Sequence, residues 1–106
     1  MLKHSVYIAA HDSDALAKVS DAMTLIEGLQ AKLPGMLDLA HGPNLDFEQK
    51  SQTYSYGFII TFTDRAAHLE YETHPDHQAA GALLVAAATG GHDGIFVTDL
   101  DVSAQL

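Results

Sequence analysis

Apolar and polar positions along the chain recur with two periods, and the switches between them divide it into six elements. From Leu2 to Ala10 the residues Leu2, His4, Val6, Ile8 and Ala10 alternate with Lys3, Ser5, Tyr7 and Ala9, which is the period of a strand. His4 is the polar exception on the apolar face of that strand. His11-Asp12-Ser13-Asp14 then offers side-chain oxygens to the orphan N–H groups of a helix start, and Leu16, Val19, Met23 and Ile26 follow at spacings of three and four. This pattern predicts an amphipathic helix over Asp14–Leu33, ended by Pro34-Gly35. Met36 to Ala40 predicts a short strand, His41-Gly42-Pro43-Asn44 a turn, and the polar stretch Asp46 to Thr53 an exposed loop. The strongest strand signal runs from Tyr54 to Thr63, with Tyr54, Tyr56, Phe58, Ile60 and Phe62 on one face and Ser55, Gly57, Ile59 and Thr61 on the other. Thr63-Asp64 caps a second helical region that reads Arg65 to Thr73, is interrupted at His74-Pro75 and resumes to about Ala88, so a bend is expected at the proline. Beyond Thr89-Gly90-Gly91-His92-Asp93-Gly94, the run Ile95 to Val102 alternates again.

The order β-α-β-β-α-β, joined by right-handed crossovers, predicts a single α+β domain over residues 1–106 with ferredoxin-like topology. Its four-stranded antiparallel sheet carries both helices on one face. The other face is not fit for water, because Tyr7, Ile59 and Phe96 alternate with the apolar Val6, Ile60 and Val97. A second copy of the same sheet is the simplest cover, which predicts a homodimer.

Composition narrows the function classes. A chain of 106 residues that is 47% apolar and 18% charged can bury one modest core. Five basic against 14 acidic residues give a formal net charge of −9, which argues against nucleic acid and anionic membranes as partners. The absence of cysteine removes disulfides, thiolate metal sites and thiol nucleophiles, and fits a reducing compartment. Met1 to Ala10 lacks the pattern of a signal peptide, and the longest apolar candidate, Ala79 to Ala88, falls short of the roughly 18 to 20 residues that span a bilayer. A cytoplasmic protein is expected.

Candidate chemistry concentrates in Tyr71-Glu72-Thr73-His74-Pro75-Asp76-His77, where two histidines three apart flank the proline of the helix break. On a helix regular through Pro75, Tyr71, His74 and His77 would share one side. His4 would be buried among apolar groups and would need a partner. Tyr56 and Phe58, in the aromatic row of the third strand, read either as core or as the lining of a ligand cavity. His74 and His77 with Asp76 between them invite a metal, but no second cluster stands at a recognisable spacing, so no metal and no cofactor are assigned. The glycine-rich Thr89 to Gly94 follows a helix and precedes a strand, the reverse of a phosphate loop, and reads as a plain connection.

With His4 in the first strand, Gly42-x-Asn44 after the second, Tyr-x-x-His-Pro-x-His at Tyr71 to His77 and Asp99 in the last strand, the chain resembles the dimeric stress-responsive α/β-barrel (Dabb) family over nearly its whole length. The His-Pro-x-His element is the specific part of the match. The resemblance implies a homodimer whose two sheets face each other as a barrel, with a small cavity in each subunit between sheet and helices. In the few relatives with an assigned activity that cavity closes the ring of a polyketide without metal or cofactor, and many relatives have no known reaction.

The positions matching the residues that such cyclases use are His77, Tyr71 and His4, with His74, Tyr56 and Phe58 as further ligand contacts. Tyr56 stands where those cyclases carry a further histidine in the third strand. An imidazole titrates near neutrality and can take a proton from an activated carbon, while a neighbouring phenol holds the carbonyl. Three readings follow: a small-molecule-binding barrel with cyclase-like chemistry, a non-catalytic dimeric stress module in which Tyr71 and His77 only clasp the helix break, and a cofactor-free monooxygenase. A cavity of roughly 300 Å³ or more separates the first from the second.

Overall fold

In the computed structural model, which describes residues 1–102, the alternating segments pair into one antiparallel sheet of order β2-β3-β1-β4. β1 (Leu2–Ile8) and β3 (Tyr56–Phe62) are its centre, and β2 (Met36–Pro43) and β4 (Ile95–Asp101) are its edges. The pairing fixes which residues share a face. His4 lies opposite Ile60 and Asp99, Val6 opposite Phe58 and Val97, and Ile8 opposite Tyr56 and Ile95. The last four positions of the 1–106 domain expectation, 103–106, lie outside the described residues.

Strand ends differ from the expected ones because their partners change. Ala9 and Ala10 remain buried but leave the sheet, since the Ala9 N–H donates to the Gly94 carbonyl and the Ala10 N–H to Ser55 Oγ. β2 runs past Ala40 through the expected turn, with Gly42 and Pro43 paired to Gly57 and Tyr56, and a proline is tolerated on such an edge strand. β3 begins at Tyr56 rather than Tyr54. The loop after β2 is tied to itself: the Asn44 amide donates to Ser51 Oγ and the Tyr54 carbonyl, and Asp46 Oδ1 accepts from the N–H groups of Lys50 and Ser51.

Helix α1 (Ser13–Lys32) starts where Asp12 Oδ1 accepts from the Ala15 N–H at 2.8 Å, and it buries Val19, Met23, Ile26 and Leu29 against the sheet. Leu16, expected on this face, is largely exposed. The second helical region is two helices, α2 (Arg65–Thr73) and α3 (Pro75–Ala87), so the expected bend is a complete break. His74 closes α2 through its N–H to the Tyr71 carbonyl and opens α3 through Nδ1, which accepts from the Asp76 N–H at 3.0 Å. Pro75 sits in the first turn of α3, where its missing N–H costs nothing.

All three helices lie on one face, and the core between them and the sheet joins Val6, Ile8, Phe58, Ile60 and Phe62 to Val19, Ile26, Leu29, Tyr71, Ala80 and Leu84. The opposite face carries Ile59, Phe96 and Leu100 at 38%, 49% and 57% exposure, an apolar strip without cover in the single chain. Tyr7 lies flat over Gly57 there, where an added Cβ would come within 2.7 Å of the ring.

Phe62 is fully buried and packs on Tyr71 and His68 at 5.2 and 5.3 Å between ring centroids. Phe62→Ala is expected to cost about 3–5 kcal/mol of stability in urea unfolding and to loosen the helix α2 side of the cavity described next.

Candidate functional site

Where α2 and α3 diverge over the sheet, a cavity of about 430 Å³ opens between them and strands β1 and β4. One part of its wall is apolar, made by Val6, Ile26, Phe58, Leu84, Ile95 and Val97. The other gathers His4, His68, Tyr71, Glu72, His77, His92 and Asp99. No lysine or arginine is among the described lining residues.

The partner that a buried His4 needs is supplied by Asp99. The two stand directly across the β1–β4 ladder, with His4 Nδ1 and Asp99 Oδ1 2.7 Å apart, although 95 positions separate them in sequence. Since the β1 pattern puts His4 on the covered face, its imidazole is 8% exposed. Asp99 is thus the carboxylate that satisfies a buried ring.

Tyr71 and His77 come from opposite sides of the helix break and meet at 4.4 Å between ring centroids, with the His4 ring 6.0 Å from Tyr71. His77 Nδ1 donates to the Glu72 carbonyl at 2.9 Å, so in the neutral ring Nε2 carries the lone pair. Burial pushes the His77 pKa down, the Glu72 carbonyl opposes this, and nearby His4 adds to the lowering. The ring is therefore a neutral proton acceptor at neutral pH. Burial pushes the Tyr71 phenol far above its ordinary range, so it remains a donor. The hydrogen bonds among the described residues leave its hydroxyl free, and no buried side-chain polar atom lacks a partner, so that hydroxyl opens to the cavity.

Of the expected site residues, His4, Phe58, Tyr71 and His77 line the cavity, whereas His74 and Tyr56 do not. His74 is taken up by capping α3. Tyr56 is drawn to the β2 edge, where its hydroxyl donates to His41 Nδ1 at 2.6 Å while His41 Nε2 donates to Glu27 at 2.7 Å. Burial, and next the Glu27 carboxylate, raise the Tyr56 pKa.

Two histidines that the pattern did not single out stand in the cavity. His68 lies three residues before Tyr71 and so shares its helix face, a spacing that the sequence contains. Its ring is 4.7 Å from that of His4, and the Arg65 guanidinium donates to its Nδ1. Burial lowers its pKa most, and His4 adds to this against the opposing Asp99 and Glu72 carboxylates. His92 arrives on the 3₁₀ turn Gly91–Gly94, which connects α3 to β4 as expected but also delivers a side chain.

The model of a family described as Stress responsive A/B Barrel Domain matches residues 2–101. A dimeric ferredoxin-like protein of unknown function from Jannaschia sp. CCS1 is 48% identical, with a TM-score of 0.92 over 95% of this chain and 98% of that one. At 15% identity the hydroxynitrile lyase of Passiflora edulis shares the fold, with a TM-score of 0.78 over 99% and 95% of the two chains. SnoaB, a cofactor-independent oxygenase from Streptomyces nogalater, does so at 16% identity, with a TM-score of 0.72 over 99% and 95%. No curated protein matches the sequence.

The lowered pKa values of His68 and His77 have a sign for stability. Below the ordinary value of 6.5 the unfolded chain binds protons that the folded one resists, so their contribution is full above that pH and is lost as the pH falls beneath it. Urea unfolding is expected to show a lower midpoint at pH 5.5 than at pH 7.5, with a smaller difference in His77→Phe.

Proposed function

The chain belongs to the stress-responsive α/β-barrel domain family, and we propose that it is a self-pairing barrel that binds a small, uncharged carbonyl compound and moves a proton on it without a cofactor. The observation that carries this reading is the pairing of a neutral His77, whose Nε2 is its free acceptor, with the adjacent Tyr71 phenol at the polar end of an apolar cavity. His77 takes a proton from a carbon beside the carbonyl, and the Tyr71 hydroxyl donates to the carbonyl oxygen as charge develops there. Asp99 holds His4, which in turn packs on Tyr71 and fixes the phenol. With Glu72 and Asp99 in the lining and no lysine or arginine among its described residues, the cavity favours a neutral ligand over a carboxylate. Its volume of about 430 Å³ suits an aromatic or short polyketide-like compound.

Self-pairing is supported by the uncovered strip of Ile59, Phe96 and Leu100 and by the dimeric description of the Jannaschia relative. No helix among the described residues is long and apolar enough to cross a membrane. The net charge of −9 and the lack of cysteine support a cytoplasmic place, with no nucleic-acid partner and with a role under stress as the family description suggests.

NMR of the histidine ring signals during titration with aromatic and polyketide-like ketones and aldehydes tests the pocket and the base together. Ligands are expected to shift His77 and His4, to bind more weakly as matched carboxylates, and to be turned over with a loss of about 10²–10⁴-fold in His77→Ala. Unmoved signals, together with a His77→Ala that only lowers stability, would make the motif a clasp of the helix break and the protein a non-catalytic module. Sedimentation velocity is expected to give twice the 11.4 kDa chain mass, reduced to the single mass in the double variant Ile59→Lys and Phe96→Lys.

A further inference from the structure

Beside the Tyr71–His77 pair, the same cavity holds a second cluster, of which the proton-transfer reading uses His4 and Asp99 only to hold Tyr71 in place. One donor atom each from His4, His68 and Asp99 lie within 4.8 Å of one another, although the three residues come from β1, α2 and β4. We propose that these three residues form a binding site for a divalent transition-metal ion such as Zn²⁺ or Co²⁺, with the cavity supplying the open coordination position.

The donor set is two imidazoles and one carboxylate, which suits borderline first-row ions, and the cysteine-free sequence rules out a thiolate site. Three protein ligands with space beyond them is the arrangement of an open metal site, and here that space is the 430 Å³ cavity all three residues line. Both histidines are buried, at 8% and 6% exposure, so the core largely sets where their rings stand. Metal–nitrogen bonds of about 2.0–2.1 Å place tetrahedral donors about 3.3 Å apart, so a spread of 4.8 Å closes with small side-chain rotations.

Two contacts hold the metal-free state. His4 shares a proton with Asp99 across 2.7 Å, and Arg65 donates to His68 Nδ1. Coordination through His4 Nδ1 places that ring's proton on Nε2 and leaves the Asp99 carboxylate to the ion. Metal binding at His68 Nε2 moves that ring's proton to Nδ1 and displaces the Arg65 guanidinium. Arg65 is well exposed and already stands 3.7 Å from the Glu72 carboxylate, which can receive it.

Calorimetric titration of the purified protein with Zn²⁺, and visible absorption during titration with Co²⁺, read the site without any substrate. One ion per chain is expected, with a weakening of roughly 10–100-fold in Asp99→Asn and in His68→Ala. Asp99→Asn keeps the shape of the side chain, so it guards against loss of fold in the buried His68→Ala. His41→Ala, which breaks the separate Glu27–His41–Tyr56 chain, is expected to leave uptake unchanged. No uptake below millimolar metal, or uptake that survives both Asp99→Asn and His68→Ala, overturns the proposal. Neither result bears on the His77–Tyr71 reading, which is tested by carbonyl ligands in metal-free buffer.

Discussion

Pro75 has no N–H to give and cannot continue the helix before it, and the architecture of the cavity follows from that one restriction. Because α2 must end, His74 is free to serve both helices, closing one with its backbone and opening the next with its ring. Because α3 starts afresh, His77 turns towards Tyr71 and not along a continuous helix face, and its Nδ1 finds the carbonyl of Glu72 that the break exposes. Tyr71 and His77 are thus brought together by an interruption of secondary structure. A regular helix through this region would have presented Tyr71, His74 and His77 as one stripe and spent His74 on the cavity.

The polar end of the cavity is built on a second constraint, the register of the sheet. His4 and Asp99 meet because β1 and β4 pair antiparallel with position 4 opposite position 99, and a slip of β4 by one residue would send Asp99 to the other face and leave His4 without it. Phe62 supports this end from below through its contacts with His68 and Tyr71. The sheet therefore holds His4, Phe62 and Asp99 in place, and the helices add His68, Tyr71 and His77.

Much of this was legible in the sequence where the signal is local. Among the described residues the periods of two and 3.6 locate the four strands and the α-helical segments, the Asp12 and Asp64 caps stand at the expected helix starts, and the apolar residues on both faces of the sheet are found as read. His4, Tyr71, His77 and Phe58 fall in one cavity because periodicity and the motif place each on the covered side. What was not legible depends on contacts between distant residues. Tyr56 was assigned to the cavity from its strand face, yet it is captured by His41, whose position became visible only once β2 extended to Pro43. His68 carried a usable signal in its spacing from Tyr71, but its apposition to His4 needs the packing of α2 on the sheet. Leu16 followed the helical period and still lies outside, since α1 rests on the sheet along a narrower stripe than its apolar residues span.

The cavity is polar and partly buried, yet among the described residues no buried side-chain polar atom is left without a partner. Proteins whose pockets hold unpaired groups fold best when occupied, and their abundance follows the supply of what they bind. Here the fully buried polar side chains are paired within the protein, and only groups open to the cavity, the Tyr71 hydroxyl and His77 Nε2, are left over, so the fold rests on its own internal bonds. The stability of the chain is thereby set by its own packing and pairing.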